Sequence, residues 1–152
     1  MQPKAEFTLR RTLLPQDVPA VAGIEEECFT DPWPAAGIEA ELTNPYGVYV
    51  VALYDGEIAG YVMGSALYED ADVTNVAVKP DLRRLGLARA MMTDFLAQCR
   101  ERNVEKVFLE VRESNLPAIH LYASFGFAPM GRRKNYYIKP MEDAIVMALS
   151  LC

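Results

Sequence analysis

Cysteine and histidine are scarce in this sequence of 152 residues, which has three of the first and one of the second. Cys28, Cys99 and Cys152 are odd in number and far apart, so they form neither a disulfide framework nor a C-x-x-C metal or redox pair. The lone His120 falls opposite the inner face of its helix and reads as exposed. Without a His/Cys/Asp cluster, metal catalysis has no candidate site. Long apolar runs are missing as well: none nears the roughly 18 residues that a membrane span needs, and Met1 to Arg11 lacks the apolar segment of a secretory signal. A cytoplasmic protein that does not engage a membrane is expected. Positive charge is the minority sign, since 15 Lys and Arg against 21 Asp and Glu leave a net charge of −6. That balance opposes direct nucleic-acid binding, which depends on Lys and Arg releasing counterions from phosphate. It favours a basic protein or peptide as partner.

Repeats and Gly/Ser linkers are also absent, and the length suits a single domain over residues 1–152. What the chain does contain is an alternation of helical and strand periodicities, the mark of a mixed α/β fold. Phe7 to Thr12 reads as a strand and Gln16 to Phe29 as a helix with Val21, Ile24 and Cys28 on one face. Asp31-Pro32-Trp33-Pro34 breaks the chain before a short helix, Ala36 to Leu42. Tyr46 to Tyr54 and Glu57 to Leu67 flank Asp55-Gly56, the signal of a tight hairpin, and should pair antiparallel. A strand over Asp72 to Val78 leads into a long helix whose Ala88, Met91, Met92, Phe95, Leu96 and Cys99 make a continuous apolar stripe. Lys106 to Arg112 follows as a strand, and Asn115 to Phe125 as a helix with Pro117 in its first turn and Gly126 beyond its end. Phe127 to Tyr137 and Glu142 to Leu149 form a closing antiparallel pair.

The junction Arg83-Arg84-Leu85-Gly86-Leu87-Ala88 lies between a strand and a helix start, where backbone N–H groups lack partners within the helix. The helix dipole places about half a positive charge there. Gly86 and Ala88 limit side-chain bulk, and Arg83, Arg84 and Arg89 add full charges, so the loop suits a pyrophosphate. It carries neither G-x-G-x-x-G nor G-x-x-x-x-G-K-[ST], so no dinucleotide or P-loop motif is present. Taken alone, it could equally be a Gly-containing turn with solvated arginines.

Within Lys106 to Arg112, Val107, Leu109 and Val111 point one way and Phe108, Glu110 and Arg112 the other. Glu110 is thus a carboxylate in mid-strand, either a candidate base or a surface residue on an open sheet face. Tyr122 lies on the inner face of the following helix, as a candidate acid or as core packing.

The ordered set Arg83-x-x-Gly86-x-Ala88, Leu109-Glu110-Val111-Arg112-x-Ser114-Asn115 and Ala118-Ile119-x-Leu121-Tyr122-x-x-x-Gly126-Phe127 resembles the GNAT acetyltransferases. Cys28-Phe29-x-x-Pro32-Trp33, Thr74-Asn75-Val76-Ala77-Val78, Arg133-Lys134-Asn135-Tyr136-Tyr137 and Glu142-Asp143-Ala144 extend the likeness over nearly the full length. They direct it toward members that acetylate the N-terminal alanine of a small-subunit ribosomal protein. The resemblance implies a GNAT fold, with a central, mostly antiparallel twisted sheet flanked by helices, and acetyl-CoA as cosubstrate. It implies that the backbone of Val76, Ala77 and Val78 pairs with the pantetheine arm and that Arg84, Leu85, Gly86, Leu87, Ala88 and Arg89 hold the pyrophosphate. Asn115 would touch the cofactor, Glu110 would act as general base and Tyr122 as general acid. Asp31, Trp33, Tyr136 and Tyr137 are the candidates for the peptide groove, the tyrosine pair being equally open to plain strand packing, and Asp31 and Glu142 either meet a basic second residue of the substrate or are ordinary solvated charges. A monomer is expected. The family pattern is departed from at Ala88, where glycine is common, and in the short turn Ile138-Lys139-Pro140-Met141, which bears on side-chain preference in the groove.

The chemistry is consistent with an α-amine acceptor. With a pKa of about 7.7 to 8.0, roughly a fifth to a third of it is neutral near pH 7.4, against about 0.1% of a lysine. A carboxylate of ordinary pKa would remove a proton from an α-ammonium uphill by roughly 5 kcal/mol, so Glu110 should work through water, a raised pKa, or on the amine as it becomes acidic during attack. A backbone N–H near Ala77 or Val78 would polarise the carbonyl oxygen. Acetyltransferases acting on lysine, a small amine or many N-termini remain alternatives. A non-catalytic acetyl-CoA-binding module should lack both Glu110 and Tyr122.

Overall fold

The computed structural model describes residues 6–83 and 85–151. The strands are β1 (Phe7–Arg10), β2 (Gly47–Tyr54), β3 (Glu57–Leu67), β4 (Asp70–Val78), β5 (Lys106–Arg112), β6 (Ala128–Ile138) and β7 (Met141–Ser150). They form one seven-stranded sheet in the order β1-β2-β3-β4-β5-β7-β6. The helices are α1 (Val18–Cys28), α2 (Ala35–Glu41), α3 (Leu87–Glu101) and α4 (Leu116–Ser124). Every pairing is antiparallel except β4 with β5, which is parallel. The expected mixed α/β class and mostly antiparallel sheet are therefore present.

Alternation along the strands places apolar side chains on both faces of the sheet. On β2, Val48, Val50 and Ala52 join the core that contains Met91, Met92, Phe95 and Leu96 of α3. Val51 of the same strand turns to the other core, with Val21 and Ile24 of α1 and Ile38 of α2. The stripe on α3 starts at Leu87, which is buried, while Ala88 is only half-buried. The β2–β3 turn has Asp55 at φ 54° and Gly56 at φ 80°, the two left-handed residues that a tight hairpin turn requires.

Several boundaries differ from the sequence reading for local reasons. The helix expected from Gln16 begins as a 3-10 turn at Pro15–Asp17 before α1 proper. The Asp17 carboxylate there accepts from Leu14 N at 2.7 Å and from Arg10 Nη1 at 2.6 Å. At the other junction Asn115 is the cap of α4, not its first residue, and its Oδ1 accepts from Ala118 N at 3.3 Å.

One irregularity shapes the functional region. The β3–β4 register slips between Met63 and Gly64, leaving Thr74 without a counterpart on β3. Gly64 permits the approach, because a Cβ there would lie 2.2 Å from the Asp72 carbonyl oxygen and 2.7 Å from the Phe95 ring. On the other side of β4, the described pairing with β5 ends at Val73 with Leu109. From Thr74 to Val78, β4 therefore turns an open backbone edge toward a gap whose far wall is Glu110 to Arg112 of β5.

Candidate active site

A cleft of about 1230 Å³ occupies this gap. Val76 of β4 and Glu110 of β5 stand on its two walls, and Asp31 and Trp33, from the segment after α1, also line it. Asn115 and Tyr122 contribute from the start and middle of α4, and Tyr136 and Tyr137 from β6. The cleft thus gathers Glu110, Tyr122 and the groove candidates, which are widely separated along the chain.

The side chains of Ala77 and Val78 pack into the two cores instead, so these residues can face a ligand only through their backbone. Among the described residues of the loop before α3, none belongs to the cleft lining. Gly86 is left-handed at φ 82°, and a Cβ on it would meet nothing within 4 Å. Its glycine is needed for that backbone angle, not to relieve crowding within the protein. Leu85 and Gly86 are exposed, Leu87 is buried, and the Arg89 guanidinium sits 5.4 Å above the Phe125 ring. Arg83 reaches Cys28 Sγ at 3.5 Å. Arg84 lies outside the described residues.

Consecutive strand residues normally face opposite sides of a sheet, yet Tyr136 and Tyr137 both enter the cleft. The register of β6 on β7 is broken between Arg133 and Tyr137, with Asn135 left-handed at φ 51° and its N–H on Asp143 Oδ1 at 2.8 Å. The two rings meet edge to face at 5.1 Å. Arg112 lies 4.3 Å over the Tyr137 ring.

Glu110 Oε1 is 2.8 Å from Nε of Arg133, across from the edge strand β6. Hydrogen bonding to Glu110, followed by burial, pushes the Tyr136 hydroxyl upward in pKa. Burial foremost, then Glu110, takes Tyr137 to about 12. Tyr122 is 7% exposed and edge to face with Phe127, and burial pushes its hydroxyl up to about 12. At neutral pH it is a protonated hydroxyl.

Glu142, offered above to a basic residue of the substrate, already has partners within the protein. Its Oε1 pairs with Arg112 Nη1 at 3.1 Å and its Oε2 accepts from Ser114 N at 2.6 Å, so it ties β7 to the β5–α4 turn. Hydrogen bonding from Ser114, together with Arg112, holds its carboxyl below the ordinary range. A substrate cation would have to compete with both partners.

Sequence reading passed over Glu25, which is 1% exposed and lines the cleft from α1. The signal was present: Glu25 follows Ile24 and stands four residues after Val21, on the apolar face of a helix. Arg133 was noted only as part of a motif, and its place beside Glu110 follows from β6 lying next to β7, a long-range pairing.

Residues 18–127 match the acetyltransferase (GNAT) family. The chain belongs to that family. An Escherichia coli K12 [ribosomal protein bS18]-alanine N-acetyltransferase is 34% identical to it over 137 residues, covering 89% of this chain and 92% of the relative. A Bacillus subtilis protein provisionally given the same name is 39% identical over 142 residues, covering 93% and 94%. The crystal structure of the Escherichia coli ribosomal-protein-S18-alanine N-acetyltransferase superposes with a TM-score of 0.89 at 32% identity, over 96% of this chain and 94% of that one. Among the described residues, the open edge of β4 presents backbone hydrogen-bonding groups and the glycine-started N-terminus of α3 presents N–H groups.

Proposed function

We propose that this acetyltransferase moves the acetyl group of acetyl-CoA onto the α-amine of a protein N-terminus by direct attack in a ternary complex. We further propose that its acceptor is the N-terminal alanine of a small-subunit ribosomal protein, and that it acts as a cytoplasmic single-domain monomer. The observation that carries the reading is the convergence of Glu110 and Tyr122 on one cleft beside the open edge of β4. The names of relatives matching nearly the whole chain support the acceptor.

Acetyl-CoA supplies an acyl group activated as a thioester. Its pyrophosphate is assigned to Arg84 through Arg89 and its pantetheine arm to the backbone from Val76 to Val78, with Asn115 beside them. A backbone N–H at Ala77 or Val78 polarises the carbonyl oxygen. Glu110 receives the proton that the amine loses on attack, directly or through water. Tyr122, with a pKa of about 12 against about 8.5 for a thiol, would donate its proton fully only at a cost of about 5 kcal/mol. Its role is therefore a hydrogen bond to the departing sulfur.

Asp31, Trp33, Tyr136 and Tyr137 border the acceptor's approach. Acetyl-CoA offered with peptides of one tail but N-terminal Ala, Ser or Met, or acetyl-blocked Ala plus an internal lysine, tests the acceptor. Label on the α-amine of the Ala peptide is expected; label confined to lysine overturns it.

A further inference from the structure

Glu25 is buried, ionisable and without a part in the chemistry above. Its two carboxylate oxygens face different segments. Oε1 accepts from the Tyr61 hydroxyl at 2.5 Å on β3 and from Asn75 Nδ2 on β4. Oε2 accepts from the backbone N–H of Trp33 at 3.1 Å, in the partly exposed segment after α1 that forms one lip of the cleft lining. Asn75 belongs to the stretch of β4 that β5 leaves open, immediately before Val76. One side chain therefore joins the edge assigned to the cofactor to the lip assigned to the acceptor.

We infer that Glu25 is a positioning residue: it holds the Trp33 lip in register with the open edge of β4, and so sets where the acceptor amine enters relative to the thioester. This rests on the proposed reading that Trp33 borders the acceptor. A carboxylate is required because donors lie on both sides and only a group with two acceptor oxygens satisfies them all. Glutamine has one. Its carbonyl would stay with the two sheet donors, Tyr61 and Asn75, and its NH2 would then face the Trp33 N–H, donor against donor. The lip would lose its tether while the sheet kept its own.

The test is Glu25→Gln beside Tyr61→Phe. Tyr61 touches only the sheet-side oxygen, so its loss leaves the Trp33 contact in place. Trp33 is the only tryptophan of the chain, so its fluorescence reports on the lip directly. In Glu25→Gln, acrylamide quenching of Trp33 should at least double and the acceptor KM should rise about tenfold, with kcat changed less than about threefold. The acetyl-CoA Kd should stay within about twofold. In Tyr61→Phe, quenching and KM should match the parent even if Tm falls. Equal effects of the two variants, in proportion to lost Tm, would reduce Glu25 to a core residue and overturn the inference. So would unchanged quenching and KM in Glu25→Gln. The kinetic arm uses whichever amine the parent protein acetylates, so acetylation of lysine alone would remove the acceptor reading, while Trp33 quenching still decides whether Glu25 holds the lip.

Discussion

The guanidinium of Arg133 and the carboxylate of Glu110 form an ion pair of 2.8 Å, on the very group proposed to receive the acceptor's proton. Arg133 is 59% exposed on an edge strand, so the pair is open to water and contributes little to stability. Its effect lies in competition, because an incoming ammonium and Arg133 seek the same oxygen.

Replacing Arg133 with methionine should therefore lower the acceptor KM by about two- to fivefold at low salt, with the difference shrinking as salt rises. Initial rates at two ionic strengths check this. An unchanged KM at both would mean that Arg133 leaves Glu110 before the acceptor binds.

Glu110→Gln and Tyr122→Phe should each reduce turnover by about 10² to 10⁴-fold while acetyl-CoA binding, measured by calorimetry, persists. Tyr122 adds a pH signature. Because burial takes its pKa to about 12, the parent profile should show no alkaline limb that Tyr122→Phe abolishes below about pH 11. A limb near pH 9 that disappears in the phenylalanine variant would contradict this assignment.

These side chains differ in how far the linear sequence announced them. Glu110 and Tyr122 lie in short elements whose periodicity is local, so the faces they occupy could be read from neighbouring valines and leucines. The joint entry of Tyr136 and Tyr137 could not, because it depends on a break in the β6–β7 register that no alternation pattern contains. Glu142 looked available for substrate because its two partners, Arg112 and Ser114, are about 30 residues away. Glu25 was masked by Glu26 and Glu27, which made a buried acid look like part of a solvated run.

At Gly86, alanine must adopt a left-handed angle at a cost of about 1 to 2 kcal/mol, although space is available. Asparagine tolerates that angle better than alanine or valine does. Thermal melts and acetyl-CoA titrations should accordingly rank the variants Gly86→Asn, Gly86→Ala, Gly86→Val from mildest to most severe. A loss that follows side-chain size alone, with alanine above asparagine, would point to steric contact with the ligand instead.

Asp72 offers a stability test. Although its side chain is exposed, partial desolvation beside the cleft, then the charges of Asp70 and Glu110, raise its carboxyl above the ordinary 3.8. The folded protein thus binds that proton more tightly than the unfolded chain, and the ionised form opposes folding at neutral pH. Asp72→Asn should raise Tm there. The gain should fade as pH falls through the raised folded-state pKa and vanish below about 3.8, where both states are protonated. Melts across pH 3 to 8 measure it, and a gain that persists undiminished at pH 3 would assign it to another cause.

On the proposed placement of acetyl-CoA, the short parallel contact between β4 and β5 would give the cosubstrate a mechanical part in the molecule. Among the described residues, four residue pairs join β1 through β4 to β5, β7 and β6 within the sheet. Beyond them, β4 from Thr74 to Val78 has no register partner on β5 among the described residues. A pantetheine arm laid along Thr74 to Val78 would serve as a partial strand, and each turnover would take that strand away and replace it. On that placement, reaction and folding would draw on the same set of backbone groups, and the protein would be most firmly knit while loaded and loosest at the moment its product leaves.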